Sequence, residues 1–103
     1  MVSGKRQYRS RIQIAADILE IAKDGSRKTK IMYQGNLSFD LLQKYLDMLM
    51  NFGLLEIEDK ADKSYVATEK GQRFLEDYRE LQKYSEMFES KKQALETSLT
   101  ATQ

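Results

Sequence analysis

The side chains that most often carry out chemistry are missing from this sequence. Its 103 residues include no cysteine and no histidine. That removes disulfides, thiolate nucleophiles, the commonest metal ligand and the commonest general base. The serines at 3, 10, 26, 38, 64, 85, 90 and 98 therefore have no histidine to activate them. Glu56, Glu58, Asp59 and Asp62 offer oxygen ligands for a hard cation, but without the glycine and ligand spacing of a calcium loop. The residues point away from an enzyme, and no cofactor, metal or small-molecule substrate is expected.

What remains is cation chemistry, concentrated at one end. Residues 1–33 hold Lys5, Arg6, Arg9, Arg11, Lys23, Arg27, Lys28 and Lys30 against Asp17, Glu20 and Asp24, whereas residues 34–103 hold more acid than base. The formal net charge is only +1. A local patch is nevertheless enough to neutralise phosphates while the remainder stays acidic. The same charges also fit a solvated face with no partner.

The elements that must position these residues follow from apolar spacing and punctuation. The length suits one domain. No run approaches the roughly 18 apolar residues of a membrane span, and Met1 to Arg11 lacks the apolar stretch of a secretory signal. A cytoplasmic protein is expected. Ile14, Ile18 and Ile21, with Ala15, Leu19 and Ala22 beside them, predict a first helix over 9–24 ended by Gly25. Ser26 is positioned to cap a short second helix over 27–34. Gly35-Asn36 then supplies two residues tolerant of positive φ, and Ser38 caps a third helix to Phe52, closed by Gly53. On that helix Phe39, Leu42, Leu46 and Leu49 form the buried stripe, flanked by Leu41, Tyr45 and Phe52. Asp40, Lys44, Asp47 and Asn51 form the opposite face, with Gln43 alongside.

After Gly53, Leu55 and Ile57 alternate with Glu56 and Glu58, a polar turn spans 59–63, and Ser64-Tyr65-Val66-Ala67 follows, which predicts a β-hairpin. Thr68 caps a last helix running to about Leu99, roughly 40 Å at 1.5 Å per residue and more than a small core can cover.

Helix, helix, turn, helix, hairpin, helix resembles a winged helix-turn-helix, a mainly α fold with a small β-hairpin. More narrowly, the chain resembles the archaeal DNA-binding proteins of the Sulfolobus "Sso ten-a" family. The residues carrying the likeness are 29–33 before the turn, Asn36-Leu37-Ser38 opening the recognition helix, Tyr45 through Gly53, and Tyr65-Val66-Ala67-Thr68-Glu69-Lys70-Gly71 joining wing to last helix. It covers nearly the whole chain. It implies a nucleoid-associated homodimer, held by an antiparallel coiled coil, that binds double-stranded DNA with little sequence preference. The wing turn departs from that pattern by carrying more acid.

In helix-turn-helix docking the start of the second helix of the motif enters the major groove and the first crosses the backbone. That nominates Ser38, Phe39, Gln43 and Lys44 for the groove, with the periodicity assigning Phe39 to the core instead. Lys5, Arg6, Arg9, Arg27, Lys28 and Lys30 are candidate phosphate contacts, and Lys60 and Lys63 candidate wing contacts. There is no arginine between Met32 and Arg73, so the side chain that most often reads guanine is absent from the recognition helix. Gln43 could read adenine. About six phosphate contacts would give a log-log salt slope near −5.

Along the last helix, Phe74, Tyr78, Leu81, Ser85, Phe88, Lys92, Leu95 and Leu99 alternate steps of four and three, a heptad seam interrupted by Ser85 and Lys92. Phe74 and Leu75 are expected to pack on the head, and Tyr78, Leu81, Ser85, Phe88, Lys92, Leu95 and Leu99 on a second copy. A parallel pair would stack Lys92 on Lys92. An antiparallel pair instead sets Phe74 against Leu99, Tyr78 against Leu95, Leu81 against Lys92, and Ser85 against Phe88. The same stripe would also serve a helix folded back on its own domain. The expected division is a DNA-binding head over 1–75 and a dimerisation segment over 76–103. The leading reading is a chromatin-type protein that bridges or bends DNA; the alternatives are a sequence-specific regulator and a winged-helix protein-interaction module.

Overall fold

The computed structural model describes residues 9–100. Helix α1 (Arg11–Ile21) is shorter than its apolar period suggests. Ser10 and Gln13 form a reciprocal cap at its start: the Ser10 hydroxyl accepts from the Gln13 amide at 3.1 Å, and the Gln13 side chain accepts from the Ser10 amide at 2.8 Å. Gly25, at φ +99°, turns the chain away after it.

Ser26 does not cap the second helix. It lies in a short strand, β1 (Ser26–Arg27), where it is buried and donates its hydroxyl to the Ile21 carbonyl at 2.8 Å. Helix α2 (Lys28–Gly35) then starts without a side-chain cap and ends at Asn36, which alone of the Gly35-Asn36 pair takes positive φ. Helix α3 (Phe39–Asn51) is capped as expected, the Ser38 hydroxyl accepting from the Leu41 amide at 3.2 Å.

The hairpin forms from β2 (Leu55–Asp59) and β3 (Ser64–Ala67), but β1 adds to it, making a three-stranded antiparallel sheet in the order β1-β3-β2. With β3 central, Tyr65 and Ala67 are buried, while outer β2 buries only Leu55 and leaves Ile57 exposed. The core joins Ile18 and Leu19 of α1, Ile31 of α2, Leu42, Tyr45, Leu46 and Leu49 of α3, and Leu55, Tyr65 and Leu75. The stripe read along α3 is thus corrected at both ends. Phe39 and Phe52 are exposed and Tyr45 takes an inner place.

Helix α4 (Glu69–Thr100) has 32 residues, about 48 Å at the usual rise, within a molecule 67 Å long. Its start is fastened to the end of α3. The Thr68 hydroxyl donates to the Gly53 carbonyl at 2.6 Å and accepts from the Gly71 amide at 3.1 Å. The Thr68 amide donates to the Leu54 carbonyl at 3.0 Å, and Lys70 donates to the Phe52 carbonyl at 2.8 Å. Leu75 is buried, Phe74 and Tyr78 pack partly on the core, and from Arg79 to Thr100 every residue is exposed. Arg79 pairs with Glu20 of α1 at 2.7 Å.

Candidate nucleic-acid interface

The start of α2, the outer side of α3 and the wing turn are held together by polar contacts. Lys28, the first residue of α2, donates its ammonium to the Gln43 side-chain oxygen and stands 4.5 Å from the centroid of the Phe39 ring. Gln43 donates onward to Asp47 at 3.0 Å. Arg27 donates to Asp62 in the turn between β2 and β3 at 2.7 Å, across two exposed side chains.

The acid of the wing turn is largely used in building it. The Asp59 carboxylate accepts from the amides of Ala61 and Asp62 at 3.0 and 3.3 Å, and Asp62 takes the Arg27 pair. Lys63 completes the turn at φ +56°. Lys60 and Lys63 are left exposed at its tip.

The proposed contact residues therefore divide. Lys30, Lys44, Lys60 and Lys63 are exposed, as is Ser38, whose hydroxyl proton remains free to donate while its oxygen caps α3. Arg27 is exposed but paired, and Lys28 and Gln43 are half-buried in their shared contact. Arg9 is spent inside the head: one terminal nitrogen donates to Asp17 at 2.8 Å and to the Gly35 carbonyl at 2.9 Å, the other to the Asn36 carbonyl at 3.0 Å. It closes the C-terminal end of α2, where carbonyls lack helical partners, so its guanidinium is engaged within the head. Lys5 and Arg6 lie outside the described residues.

Two aromatic residues were missed or misplaced by sequence reasoning. Tyr33 on α2 is 76% exposed and Phe39 is 58% exposed. The signal for Tyr33 is available, since Ile31 and Gly35 fix the buried side of α2 and Tyr33 falls opposite. Among the described residues there is no cluster of acidic side chains able to hold a metal ion, and no helix long and apolar enough to cross a membrane.

Comparison with known proteins bears on this arrangement. A winged helix-turn-helix family model matches residues 8–86. An uncharacterized protein of Methanocaldococcus jannaschii is 33% identical over 79 residues, spanning 76% of this chain and 78% of that protein. Sso10a-2, a DNA-binding protein from Sulfolobus solfataricus, superimposes with a TM-score of 0.78 at 30% identity, covering 92% of this chain and 100% of that one. ZitR of Lactococcus lactis shares the fold alone, with a TM-score of 0.56 at 17% identity over 98% of this chain and 80% of its own.

Proposed function

The chain belongs to the winged helix-turn-helix family, in its Sso10a-like branch, and on that premise we propose that it binds double-stranded DNA as a low-specificity architectural protein of chromatin type. The observation that carries this reading is the character of the recognition face. Asp40 and Asp47 are exposed on α3, Gln43 has its amide engaged at both ends, and the exposed cation there is Lys44. A lysine is a point charge that suits phosphate, whereas guanine reading favours the arginine fork. Lys30 of α2 and Lys60 and Lys63 of the wing supply further exposed charge of the same kind.

In this reading the head spans residues 1–75, and residues 76–103 pair with a second copy through Tyr78, Leu81, Ser85, Phe88, Lys92, Leu95 and Leu99. Two heads at opposite ends of an antiparallel rod would bridge or bend DNA. Support comes from the exposure of Leu81, Phe88, Leu95 and Leu99 on one side of α4, a stripe too long to be covered by its own head.

The test is a titration of random and defined duplexes across salt. Near-equal affinities with a log-log slope of about −4 to −6 are expected, at roughly −0.9 per phosphate contact. A large preference for one duplex would replace this reading with a sequence-specific regulator. Absence of binding at low salt would leave a protein-interaction module.

A further inference from the structure

Phe39 is the first residue of α3, and its ring is 58% exposed although Leu42 and Leu46 further along the helix are fully buried. The other side chains exposed around the start of α3, Ser38, Asp40 and Lys44, are polar or charged. One large apolar group therefore stands at the end of the helix that helix-turn-helix docking directs into the major groove. The ring is also held in place. The Lys28 ammonium of α2 stands 4.5 Å from its centroid and donates to the side-chain oxygen of Gln43, one turn along the same side of α3. Gln43 donates onward to Asp47 at 3.0 Å. This contact limits the ring's freedom before any partner arrives, so less ordering is needed on binding. It also engages both ends of the neighbouring amide that would otherwise read adenine.

We infer that Phe39 packs on the C5 methyl group of thymine in the major groove and is the side chain through which this protein distinguishes one duplex from another. The inference rests on the DNA-binding reading above. In the major groove the base edges present hydrogen-bond donors and acceptors, and the apolar group among them is the thymine methyl. A phenyl ring laid over a polar edge strips water from donors and acceptors without replacing their hydrogen bonds. Laid over a methyl, it removes apolar surface from water on both sides. Apolar wedges that enter between base steps belong to the minor groove, which is not where the start of α3 docks.

The magnitude fits a binder of low specificity. Covering one methyl changes affinity by about two- to fourfold, which is small beside the phosphate term that sets the salt slope. The consequence is a modest preference for thymine-rich DNA, read from the methyl side of the A·T pair. Cytosine methylated at C5 carries the same group in the same groove and is favoured in the same way. Because the contact is apolar and releases no counterions, its contribution stays constant as salt weakens binding overall.

The test titrates the full-length protein with two duplexes of one mixed sequence, identical except that deoxyuridine replaces every thymine in the second and so removes the methyls while keeping the base pairing. The unsubstituted protein should bind the thymine duplex about two- to fourfold more tightly, with the same ratio at every salt concentration. Phe39→Ala, at an exposed site that the core does not use, should bring the ratio to one, and Phe39→Leu should restore part of it. A second pair of duplexes, with cytosine and with 5-methylcytosine, should show the same gain and the same loss in Phe39→Ala. Equal affinities for thymine and deoxyuridine duplexes, with binding and its salt slope intact, would overturn the methyl contact and leave the DNA-binding reading standing. A ratio that survives in Phe39→Ala would also overturn it, because the methyls would then be acting through the shape of the DNA. Absence of binding to either duplex at low salt would overturn the DNA-binding reading and the methyl contact with it.

Discussion

The Lys28 ammonium stands 4.5 Å from the centroid of the Phe39 ring, so the first residue of α2 and the first residue of α3 share one contact on the outer side of the head. The ring is exposed otherwise, and Lys28 is at the same time bonded to Gln43. Phe39→Ala should therefore cost about 1 kcal/mol or less in urea denaturation, the scale of an exposed cation–π contact. Leu46→Ala, in the core, should cost about 2–5 kcal/mol. Equal losses for the two variants would return Phe39 to the core.

Gly71 approaches the Leu54 carbonyl so closely that a Cβ built on it would lie far inside van der Waals contact with that oxygen. Backbone cannot yield as the end of a side chain can. Gly71→Ala should destabilise the head by about 1–3 kcal/mol, the range for overpacking, and lower the thermal midpoint. An unchanged midpoint would mean that α4 can shift away from the Leu54 carbonyl at no cost.

Lys44 and Arg9 separate binding from folding. Lys44 is exposed on α3, so Lys44→Ala should weaken binding to all duplexes alike and reduce the salt slope by about 1. Arg9 ties α1 to the end of α2, so Arg9→Ala should lower stability and leave the slope unchanged. The reverse pattern, read from titrations and denaturation curves on the same proteins, would exchange their roles.

Asp62 neutralises Arg27 across two exposed side chains. Such pairs contribute about 0–1 kcal/mol, so Asp62→Asn should barely change the thermal midpoint. It removes a negative charge from the wing and releases a guanidinium for phosphate. DNA affinity at low salt should rise, with a steeper salt slope. A fall in affinity would indicate that the Arg27–Asp62 contact positions the wing for binding.

Phe88 is the bulkiest apolar residue in the middle of the exposed stripe. Phe88→Glu should yield monomers in sedimentation equilibrium whose heads remain folded, because the side chain makes no part of the head's core. A surviving dimer would place the contact elsewhere.

The order of elements was legible in the residues because helix period, strand alternation and capping are local. Ile14, Ile18 and Ile21 mark α1, Ser38 marks the start of α3, and Leu55 through Ala67 mark the hairpin without reference to anything distant. The length of α4 and its apolar stripe are likewise read along one helix. The tertiary structure decided what lies against each side chain. Periodicity assigns Phe39 an angle around α3, but whether another element covers the helix's first turn is a matter of packing, and none does so enough to bury the ring. Ser26 became strand because β3 pairs with it, although its neighbours suggest a cap. The cations divided for the same reason. Arg9 meets carbonyls 26 and 27 residues away and Arg27 meets a carboxylate 35 residues away, and a pairing between distant residues exists only once the chain between them has folded.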